Sequence, residues 1–276
     1  MKNKIILITG AAGSIGSALA RVLAKDNKII MVDQNETGIF DLEEELKPNG
    51  IGVVCNIRSE HLKKTFIKYR PEIVFHAAAM KHVVMCERYS EEATLTNIHG
   101  LVNVINAAED VGVEKFIFIS SDKAVNPSSK MGETKKTGEV TCFYRNNKRF
   151  KCIVVRFGNV MPSQGSIVPI FKKQIDEGKN LTVTHRSMRR YFMGIYDAVN
   201  LVIKAAEIGR GGETFILDMG KPIYIKDLAE MMIKISGKPL GIVYTKPGKG
   251  EKFSEELMTK SEKKRTKKVA GLFIIK

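Results

Sequence analysis

The sequence lacks tryptophan, has few aromatic residues (7% of 276) and contains only four cysteines. The cysteines are Cys55, Cys86, Cys142 and Cys152, and no two of them are spaced closely enough to bind a metal or to form a redox motif. We therefore expect no metal site and a reducing compartment, the cytoplasm.

Long apolar runs are also missing. The opening segment MKNKIILITG has an apolar run only at residues 5–8, which is far shorter than a signal-peptide core, and no later segment approaches the length of a membrane span. We expect an unprocessed, soluble chain with no membrane insertion.

Acidic residues are scarce: 30 Asp and Glu stand against 45 Lys and Arg, for a formal net charge of +15. Clustered positive charge would attract nucleic acid. The lysines are instead spread along the chain, and we interpret the one dense run, KSEKKRTKKVAG, as a solvated helical face. We expect no nucleic-acid partner, although the same field would favour a small phosphate-bearing substrate.

Short apolar runs alternate with segments of helical period in the first part of the chain. The runs are KIILIT, KIIMVD, IGVVC, EIVFHA, KFIFIS and KCIVVRF. Buried strands separated by helices predict an α/β fold with a Rossmann-like doubly wound parallel sheet. After about residue 160 the pattern is less regular, so we expect a dinucleotide-binding domain at 1–160 and a smaller C-terminal substrate-binding lobe at 161–276, interleaved with the sheet.

A glycine triad directly follows the first predicted strand, in ILITGAAGSIGSALA. Gly10, Gly13 and Gly16 would allow a sharp turn, close approach of a pyrophosphate to the backbone, and tight packing of the next helix. Asp33 ends the second strand about 20 residues later, where a carboxylate accepts hydrogen bonds from ribose hydroxyls and disfavours a ribose phosphate. The pattern therefore predicts NAD rather than NADP.

Two later strand ends fit the same cofactor. The G-x-x-G-x-x-G spacing resembles that of short-chain dehydrogenase/reductases, and this resemblance implies that Asn56, after the third strand, stands where those proteins often have an Asp at the adenine edge. Ala77 and Ala78 follow the fourth strand, where small side chains would let the cofactor lie flat. Close helix packing is an alternative explanation for the alanines.

The stretch SSDKAVNPSSKMGETK follows the fifth strand and holds a candidate catalytic group. Ser121, Asp122 and Lys123 lie just beyond the strand's carboxyl end, the edge at which ligands bind in such sheets. We expect Asp122 and Lys123 to point in different directions and to act on one substrate as acid and base. A solvated polar loop is the alternative.

Longer segments carry a family resemblance, among them HAAAMKHVVMCE, GVEKFIFISSDKAVNPSSKMGETKK, VVRFGNVMPSQGSIVPIFKKQI and GETFILDMGKPIYIKDLA. They resemble the CapD-like polysaccharide-biosynthesis nucleotide-sugar 4,6-dehydratases of the extended short-chain dehydrogenase/reductase superfamily, over nearly the whole chain. That superfamily has a Y-x-x-x-K pair where this chain has Met131 and Lys135. One branch of the resembling family carries the Met, so the Met does not imply loss of activity.

The resemblance implies that bound NAD oxidises carbon 4 of UDP-N-acetylglucosamine, that water leaves across carbons 5 and 6, and that hydride returns to carbon 6. Lys123 would be the carbon 5 base, with a pKa lowered by Lys135 and partial burial, and Asp122 the acid for the carbon 6 hydroxyl. Ser121 would bond the carbon 4 oxygen, and Lys135 the nicotinamide ribose. The group that removes the carbon 4 hydroxyl proton is left open, with a relay from Ser121 to Asp122 or Lys135 favoured.

The implied contacts fall into two sets. The cofactor set is Gly10, Gly13, Ser14, Ile15, Gly16, Asp33, Asn56, Ile57, Ala77, Ala78, Lys81, Asn97, Ser120 and Lys135. The substrate set is Lys81, His82, Met131, Asn159, Arg189, Arg190, Lys246 and Glu251, with His185 as a further candidate. Lys246, in TKPGKGEKF, stands where the family has an Arg, beside an apparent insertion of two residues.

Two other activities remain open from the sequence. One is a carbon 4 or carbon 5 epimerase of the same superfamily; the Asp122–Lys123 pair argues for elimination instead, because simple carbon 4 epimerases need the Tyr and no added acid and base. The other is a non-catalytic NAD-binding scaffold, which would have no need of Asp122, Lys123 and Lys135. We also expect a homo-oligomer. The large membrane-bound members of the resembling family carry an N-terminal transmembrane region that is absent from this sequence, so we expect a stand-alone soluble catalytic module. The fate of carbon 5, inverted or retained, is not predicted.

Overall fold

A computed structural model describes residues 1–163 and 165–275 of the chain. The strands are Ile5–Thr9 (β1), Lys28–Asp33 (β2), Gly50–Val54 (β3), Ile73–His76 (β4), Lys115–Ile119 (β5), Lys151–Arg156 (β6), Asn159–Met161 (β7), Leu181–Val183 (β8), Arg189–Arg190 (β9), Phe192–Gly194 (β10), Thr214–Leu217 (β11), Ile223–Tyr224 (β12), Ile242–Tyr244 (β13), Lys267–Val269 (β14) and Leu272–Ile275 (β15).

The α-helices are Ser14–Leu23 (α1), Glu36–Leu46 (α2), His61–Tyr69 (α3), Val83–Arg88 (α4), Ser90–Thr94 (α5), Gly100–Val111 (α6), Lys130–Arg145 (α7), Ile167–Asp176 (α8), Ile195–Ile208 (α9), Ile225–Ser236 (α10) and Lys260–Lys264 (α11). A π-helical turn, Leu95–His99, joins α5 to α6, and a 3₁₀ turn, Asp122–Ala124, follows β5.

A nine-stranded sheet forms the centre of the molecule, in the order β14-β15-β11-β6-β5-β4-β1-β2-β3. The strands from β11 to β3 are parallel, whereas β15 runs antiparallel to both β11 and β14. The predicted α/β fold with a Rossmann-like doubly wound sheet is confirmed. Chain order reverses between β1 and β4, which is where such sheets open a crevice for ligands.

Both faces of the sheet are buried, which explains the unbroken apolar runs in the sequence. In β1, Ile6 and Ile8 pack into one cluster with α1 and α9, while Leu7 packs into another with α3 and α6. A third cluster, around Phe171 of α8 and Leu228 of α10, forms a separate small core in the C-terminal half.

The basic run near the C-terminus is helical only in part. Thr259 and Glu262 form a capping box that starts α11, as the pattern T-x-x-E predicts. The helix stops after Lys264, and the following lysines belong to strand β14, which turns into β15 through Ala270 and Gly271 at positive φ. The prediction of one continuous helical face is therefore wrong, because this turn allows β14 to pair with β15.

A buried ion-pair network connects the sheet to the C-terminal segment. Arg156, at the end of β6, donates to both carboxylate oxygens of Glu139 in α7 (2.6 and 2.7 Å) and to Glu262 Oε1 in α11 (2.9 Å). Ser120 Oγ donates to Glu139 Oε1 (2.7 Å). The network ties α11 to the end of β6 through Arg156 and, through Glu139, to Ser120 just after β5. Removing one partner from a buried pair of this kind costs about 3–5 kcal/mol.

All four cysteines are buried and unpaired. Burial raises the pKa of the thiols of Cys55, Cys86 and Cys142. Within residues 1–163 and 165–275, no helix combines the length and apolar character needed to cross a bilayer.

Candidate functional site

A cleft of about 1110 Å³ opens at the carboxyl ends of the parallel strands. The turns after β1, β4 and β5 form one side of the cleft. Residues of the C-terminal half, including Asn159, Arg190 and Glu255, form the other side. The cleft is larger than a typical site for one small ligand, which suits a dinucleotide and a second molecule side by side.

The glycine turn is shaped for a dinucleotide. Gly10 has φ of +70°, and a Cβ on it would lie 2.6 Å from the Ala78 backbone nitrogen. A Cβ on Gly16 would lie 2.1 Å from the Gly10 carbonyl oxygen. The turn therefore excludes side chains, which leaves room for a pyrophosphate at the N-terminus of α1. These residues fit NAD.

We expect Gly16→Ala to prevent NAD binding and to lower the free energy of unfolding by on the order of 3 kcal/mol, because the new Cβ meets backbone that cannot yield. NAD released from heated protein and urea unfolding would measure the two effects. Gly241→Ala is the matched control, since its Cβ would meet nothing closer than 3.7 Å. A Gly16→Ala protein that is stable and retains NAD would contradict this account of the turn.

Asp33 and Asn56 border the adenosine end of the cleft. Asp33 accepts hydrogen bonds from the backbone nitrogens of Ala12 (3.1 Å) and Asn35 (3.0 Å), so its carboxylate is fixed beside the glycine turn. Asn56 donates to Gln34 Oε1 (2.9 Å) and accepts from the Arg58 backbone nitrogen (2.9 Å). Its amide is therefore already oriented by protein groups.

The structure gathers most of the predicted cofactor set in the cleft lining: Gly10, Gly13, Ser14, Ile15, Gly16, Asp33, Asn56, Ile57, Ala77, Ala78, Lys81, Ser120 and Lys135. Of the predicted set, Asn97 lies behind the lining. It bonds both backbone polar groups of Met80 (2.8 and 3.0 Å) and the Thr134 hydroxyl (2.9 Å), so it supports the cleft wall from behind. The Ser120 hydroxyl donates to Glu139, as described above.

The Ser121–Asp122–Lys123 turn forms a compact, hydrogen-bonded group around a buried carboxylate. Ser121 Oγ accepts from the Lys123 backbone nitrogen (3.2 Å) and donates to Asp122 Oδ1 (2.9 Å). Lys123 Nζ donates to the same oxygen (3.0 Å), and the Asp122 side chain is fully buried. The expectation that Asp122 and Lys123 point in different directions is wrong, because the residues form a 3₁₀ turn rather than an extended strand.

The pKa of Lys123 also differs from expectation. Burial lowers it, but the carboxylates of Asp122 and Glu255 outweigh burial, so the pKa lies above its usual value. The cation that opposes them is Arg190 rather than Lys135. Lys123 is therefore an ammonium ion at neutral pH when no ligand is bound.

Lys135 is the lysine whose pKa is lowered. Its Nζ donates to the Ile119 carbonyl (2.8 Å) and lies 5.0 Å from the centre of the Phe118 ring. Burial lowers its pKa to about 8, although Glu139 acts against this. Below it, His76 bonds Thr9 Oγ1 (2.8 Å), and burial lowers the His76 pKa to about 3, so His76 stays neutral.

Met131 lies where the superfamily has its tyrosine. Its side chain is 3% exposed and packs with Cys86 and Ala93, at the edge of the cleft. A thioether in an apolar cluster cannot transfer a proton, so the acid–base groups here must come from the turn at 121–123, from Lys135 and from the opposite wall.

The predicted substrate residues divide into two groups. Those that line the cleft are Lys81, His82, Met131, Asn159, Arg190 and Glu251. Burial lowers the pKa of Lys81 and of His82. Of the residues described, Arg189, His185 and Lys246 are not in the lining: Arg189 lies over the Tyr224 ring, His185 packs against Phe253, and Lys246 is exposed.

Arg190 holds the loop that follows β13. Its guanidinium donates to the carbonyls of Arg189 (2.8 Å) and Lys252 (2.9 Å) and lies 3.4 Å from Glu251 Oε1. In the same loop, Lys249 rather than Lys246 reaches the cleft, and it lies 3.6 Å from Glu87. Lys249 is therefore the cationic residue of this loop that borders the cleft.

Sequence reasoning missed Glu255, a carboxylate that is 5% exposed and lines the cleft. Its Oε1 lies 3.5 Å from Lys123 Nζ. The available signal was the segment GEKFSEELM near residue 258, in which Glu255 is one of two adjacent acids.

Comparisons with known proteins agree with this geometry. A family model described as "Polysaccharide biosynthesis protein" matches residues 6–276. The capsular polysaccharide biosynthesis protein CapD of Staphylococcus aureus is 42% identical over 276 residues, covering 95% of this chain and 46% of CapD, so the chain spans about half of that relative. A UDP-glucose 4-epimerase of Rickettsia typhi is 35% identical, covering 99% of this chain and 83% of the epimerase.

Among solved structures, Pen from Bacillus thuringiensis superposes with a TM-score of 0.94 at 37% identity, covering 99% of this chain and 88% of Pen. The match extends over both the sheet and the C-terminal half that closes the cleft. The chain belongs to the polysaccharide biosynthesis protein family and has the extended short-chain dehydrogenase/reductase fold.

Proposed function

We propose that the chain is an NAD-dependent 4,6-dehydratase that converts UDP-N-acetylglucosamine to a UDP-4-keto-6-deoxy sugar. The Ser121–Asp122–Lys123 turn, with its buried carboxylate, carries this proposal, because elimination of water needs an acid and a base in addition to the oxidising cofactor. The coarser conclusion is that the chain is a nucleotide-sugar-modifying enzyme, as its family relatives indicate.

NAD, when bound, accepts hydride from carbon 4 of the sugar and returns it to carbon 6. The glycine turn and Asp33 bind the dinucleotide, and Lys135 bonds the nicotinamide ribose. Asn159 and Arg190 bind the diphosphate of the sugar nucleotide, since a guanidinium fork suits phosphate oxygens.

The ion pair at the turn can supply both groups that elimination requires. A proton passes from Lys123 Nζ to Asp122 Oδ1 across 3.0 Å, giving a neutral amine and a carboxylic acid. Substrate covering the cleft favours this step, because desolvation disfavours charged forms. The amine then removes the carbon 5 proton, and the acid donates to the carbon 6 hydroxyl as water leaves, which restores both charges. As hydride is returned to carbon 6, the Lys123 ammonium gives a proton to carbon 5.

The carbon 4 hydroxyl proton needs a further acceptor, because Asp122 has already received the proton of Lys123. Lys135 is our assignment, since a pKa of about 8 leaves part of it as a neutral amine near that pH. Ser121 bonds the carbon 4 oxygen. At the end of the cycle, exchange with solvent moves the proton taken up by Lys135 to Lys123. Assembly as a homo-oligomer and location in the cytoplasm stay predictions.

A nucleotide-sugar 4-epimerase is the second candidate, favoured by the identity to the Rickettsia typhi protein. Incubation with UDP-N-acetylglucosamine in deuterated water, followed by mass spectrometry and proton NMR, separates the two. A dehydratase product lacks one water and carries deuterium at carbon 5, and its couplings report the configuration there. An epimer without loss of water would replace the proposed function.

A further inference from the structure

Glu255 is held in place by the backbone around it. The Arg189 backbone nitrogen donates to the Phe253 carbonyl (2.7 Å), and Ser254 bridges to Arg189 in parallel β fashion. Arg190 fixes the preceding carbonyl at Lys252 (2.9 Å). Glu255 therefore projects from an anchored segment into the cleft wall, opposite the turn at 121–123.

One oxygen of this carboxylate has a partner and the other does not. Oε1 lies 3.5 Å from Lys123 Nζ. Oε2 is buried without a hydrogen bond, and the nearest cation, Lys252 Nζ, lies 3.9 Å away, beyond hydrogen-bonding distance. Among the residues described, Asp122 Oδ2 is the other buried carboxylate oxygen in this condition.

Two carboxylates with one unsatisfied oxygen each therefore flank Lys123. Leaving a buried acceptor unsatisfied is unfavourable, so this arrangement indicates a hydrogen-bond donor that arrives with the ligand. If the proposed function holds, the cleft binds a sugar, whose hydroxyl groups are hydrogen-bond donors. Glu255 lines that cleft.

We propose that Glu255 is a specificity-determining residue whose free carboxylate oxygen accepts a hydrogen bond from the carbon 6 hydroxyl of the bound sugar. The inference rests on the proposed function. Glu255 lies 3.5 Å from Lys123, the proposed base at carbon 5. Carbon 6 is bonded to carbon 5, whereas the carbon 3 hydroxyl lies on the far side of carbon 4, so carbon 6 carries the hydroxyl nearest to Glu255. A hydroxyl has one donor and two lone pairs, so it can donate to Glu255 while Asp122 donates to it.

This arrangement orients the departing hydroxyl and selects sugars with a primary alcohol at carbon 6. A sugar acid, with a carboxylate at carbon 6, would place a third negative charge beside Asp122 and Glu255 and would be excluded. A sugar without the carbon 6 hydroxyl would leave the Glu255 oxygen unsatisfied and would bind more weakly.

Two unreactive UDP-sugars test the inference on the NAD-bound protein: the 4-deoxy-4-fluoro analogue of UDP-N-acetylglucosamine, which retains the carbon 6 hydroxyl, and its 6-deoxy counterpart. Isothermal titration calorimetry should give the first a Kd about tenfold to a hundredfold lower than the second, as expected for a hydrogen bond to a charged group. Glu255→Met should abolish this ratio, and Glu255→Gln, which keeps an acceptor oxygen, should retain part of it.

Glu256→Gln is the matched control, because Glu256 is exposed and bonds Asn126 (3.2 Å), and it should keep the wild-type ratio. Equal Kd values for both analogues in the wild-type protein, or an unchanged ratio in Glu255→Met, would overturn the role of Glu255 while leaving the substrate in place. If the wild-type protein binds neither analogue, the proposed substrate is wrong and the role of Glu255 falls with it. If Glu255→Met does not fold, Glu255→Gln decides: a ratio of the two Kd values equal to that of the wild type would overturn the inference.

Discussion

Lys123→Gln is expected to lower kcat for the proposed dehydration by about a thousandfold, within the range attributed to a general acid–base group. Gln is close to Lys in length and keeps N–H donors for Asp122 Oδ1, so the turn should hold its shape. Its amide nitrogen cannot accept a proton, so carbon 5 cannot be deprotonated. Deuterium incorporation at carbon 5 should disappear together with product formation.

The choice of Gln matters because Asp122 and Glu255 are both buried against Lys123. An apolar replacement would leave two uncompensated carboxylates and could unfold the protein. Lys130→Gln is the control, since Lys130 is partly exposed on the same helix as Lys135 and makes only a 4.0 Å contact with Glu133. A folded Lys123→Gln protein that retains more than about a tenth of wild-type kcat would refute the assignment of the base.

Lys135 should make the stability of the protein depend on pH above neutrality. Its folded pKa is about 8, against 10.5 for an ordinary lysine. Below pH 8 both folded and unfolded states are protonated, and the folded state bears the cost of a buried ammonium ion. Between about pH 8 and 10.5 the unfolded state binds more protons, so the free energy of unfolding rises with pH.

The expected rise is on the order of 3 kcal/mol across that interval, from 1.36 kcal/mol for each pKa unit. Urea unfolding of wild type and Lys135→Met from pH 7 to 10 would measure it, because other titrating groups cancel in the difference between the two proteins. The free energy of unfolding of the wild type should increase relative to that of Lys135→Met as pH increases. The difference in free energy of unfolding between the wild type and Lys130→Met should stay constant. Parallel curves for wild type and Lys135→Met would show that Lys135 has an ordinary pKa.

The main sheet could be predicted because the parallel strands β1, β2, β4, β5 and β6 are mainly apolar runs that are buried on both faces. Strand β3, at the edge, is only partly buried. The two-residue strands β9 and β12 could not be predicted, since two residues show no periodic pattern. Strand β14 was missed for a related reason. Its side chains are all exposed, so its lysines give the same pattern as a solvated helix.

The residues of the candidate site that lie in one turn of the chain could be predicted. The contacts between segments that are distant in the sequence could not. The glycine turn and the residues at 121–123 follow strands directly, so sequence position determined their location. The ion pair within the turn depended on a local 3₁₀ conformation, and the burial of Glu255 depends on pairing between its segment and β9. Lys249 rather than Lys246 borders the cleft, because the path of the loop after β13 places it there.

The burial of all four cysteines limits their access to thiol-directed labels, and it raises the pKa of Cys55, Cys86 and Cys142, which disfavours the reactive thiolate. A single cysteine introduced on the surface would then be the main attachment point for a fluorophore or a spin label, with Cys55, which lines the cleft, as the background to compare. Lys249 is a suitable position, because its side chain is 88% exposed yet borders the cleft. A probe there would report the entry of a nucleotide sugar directly, in a protein that has no tryptophan to provide an intrinsic signal.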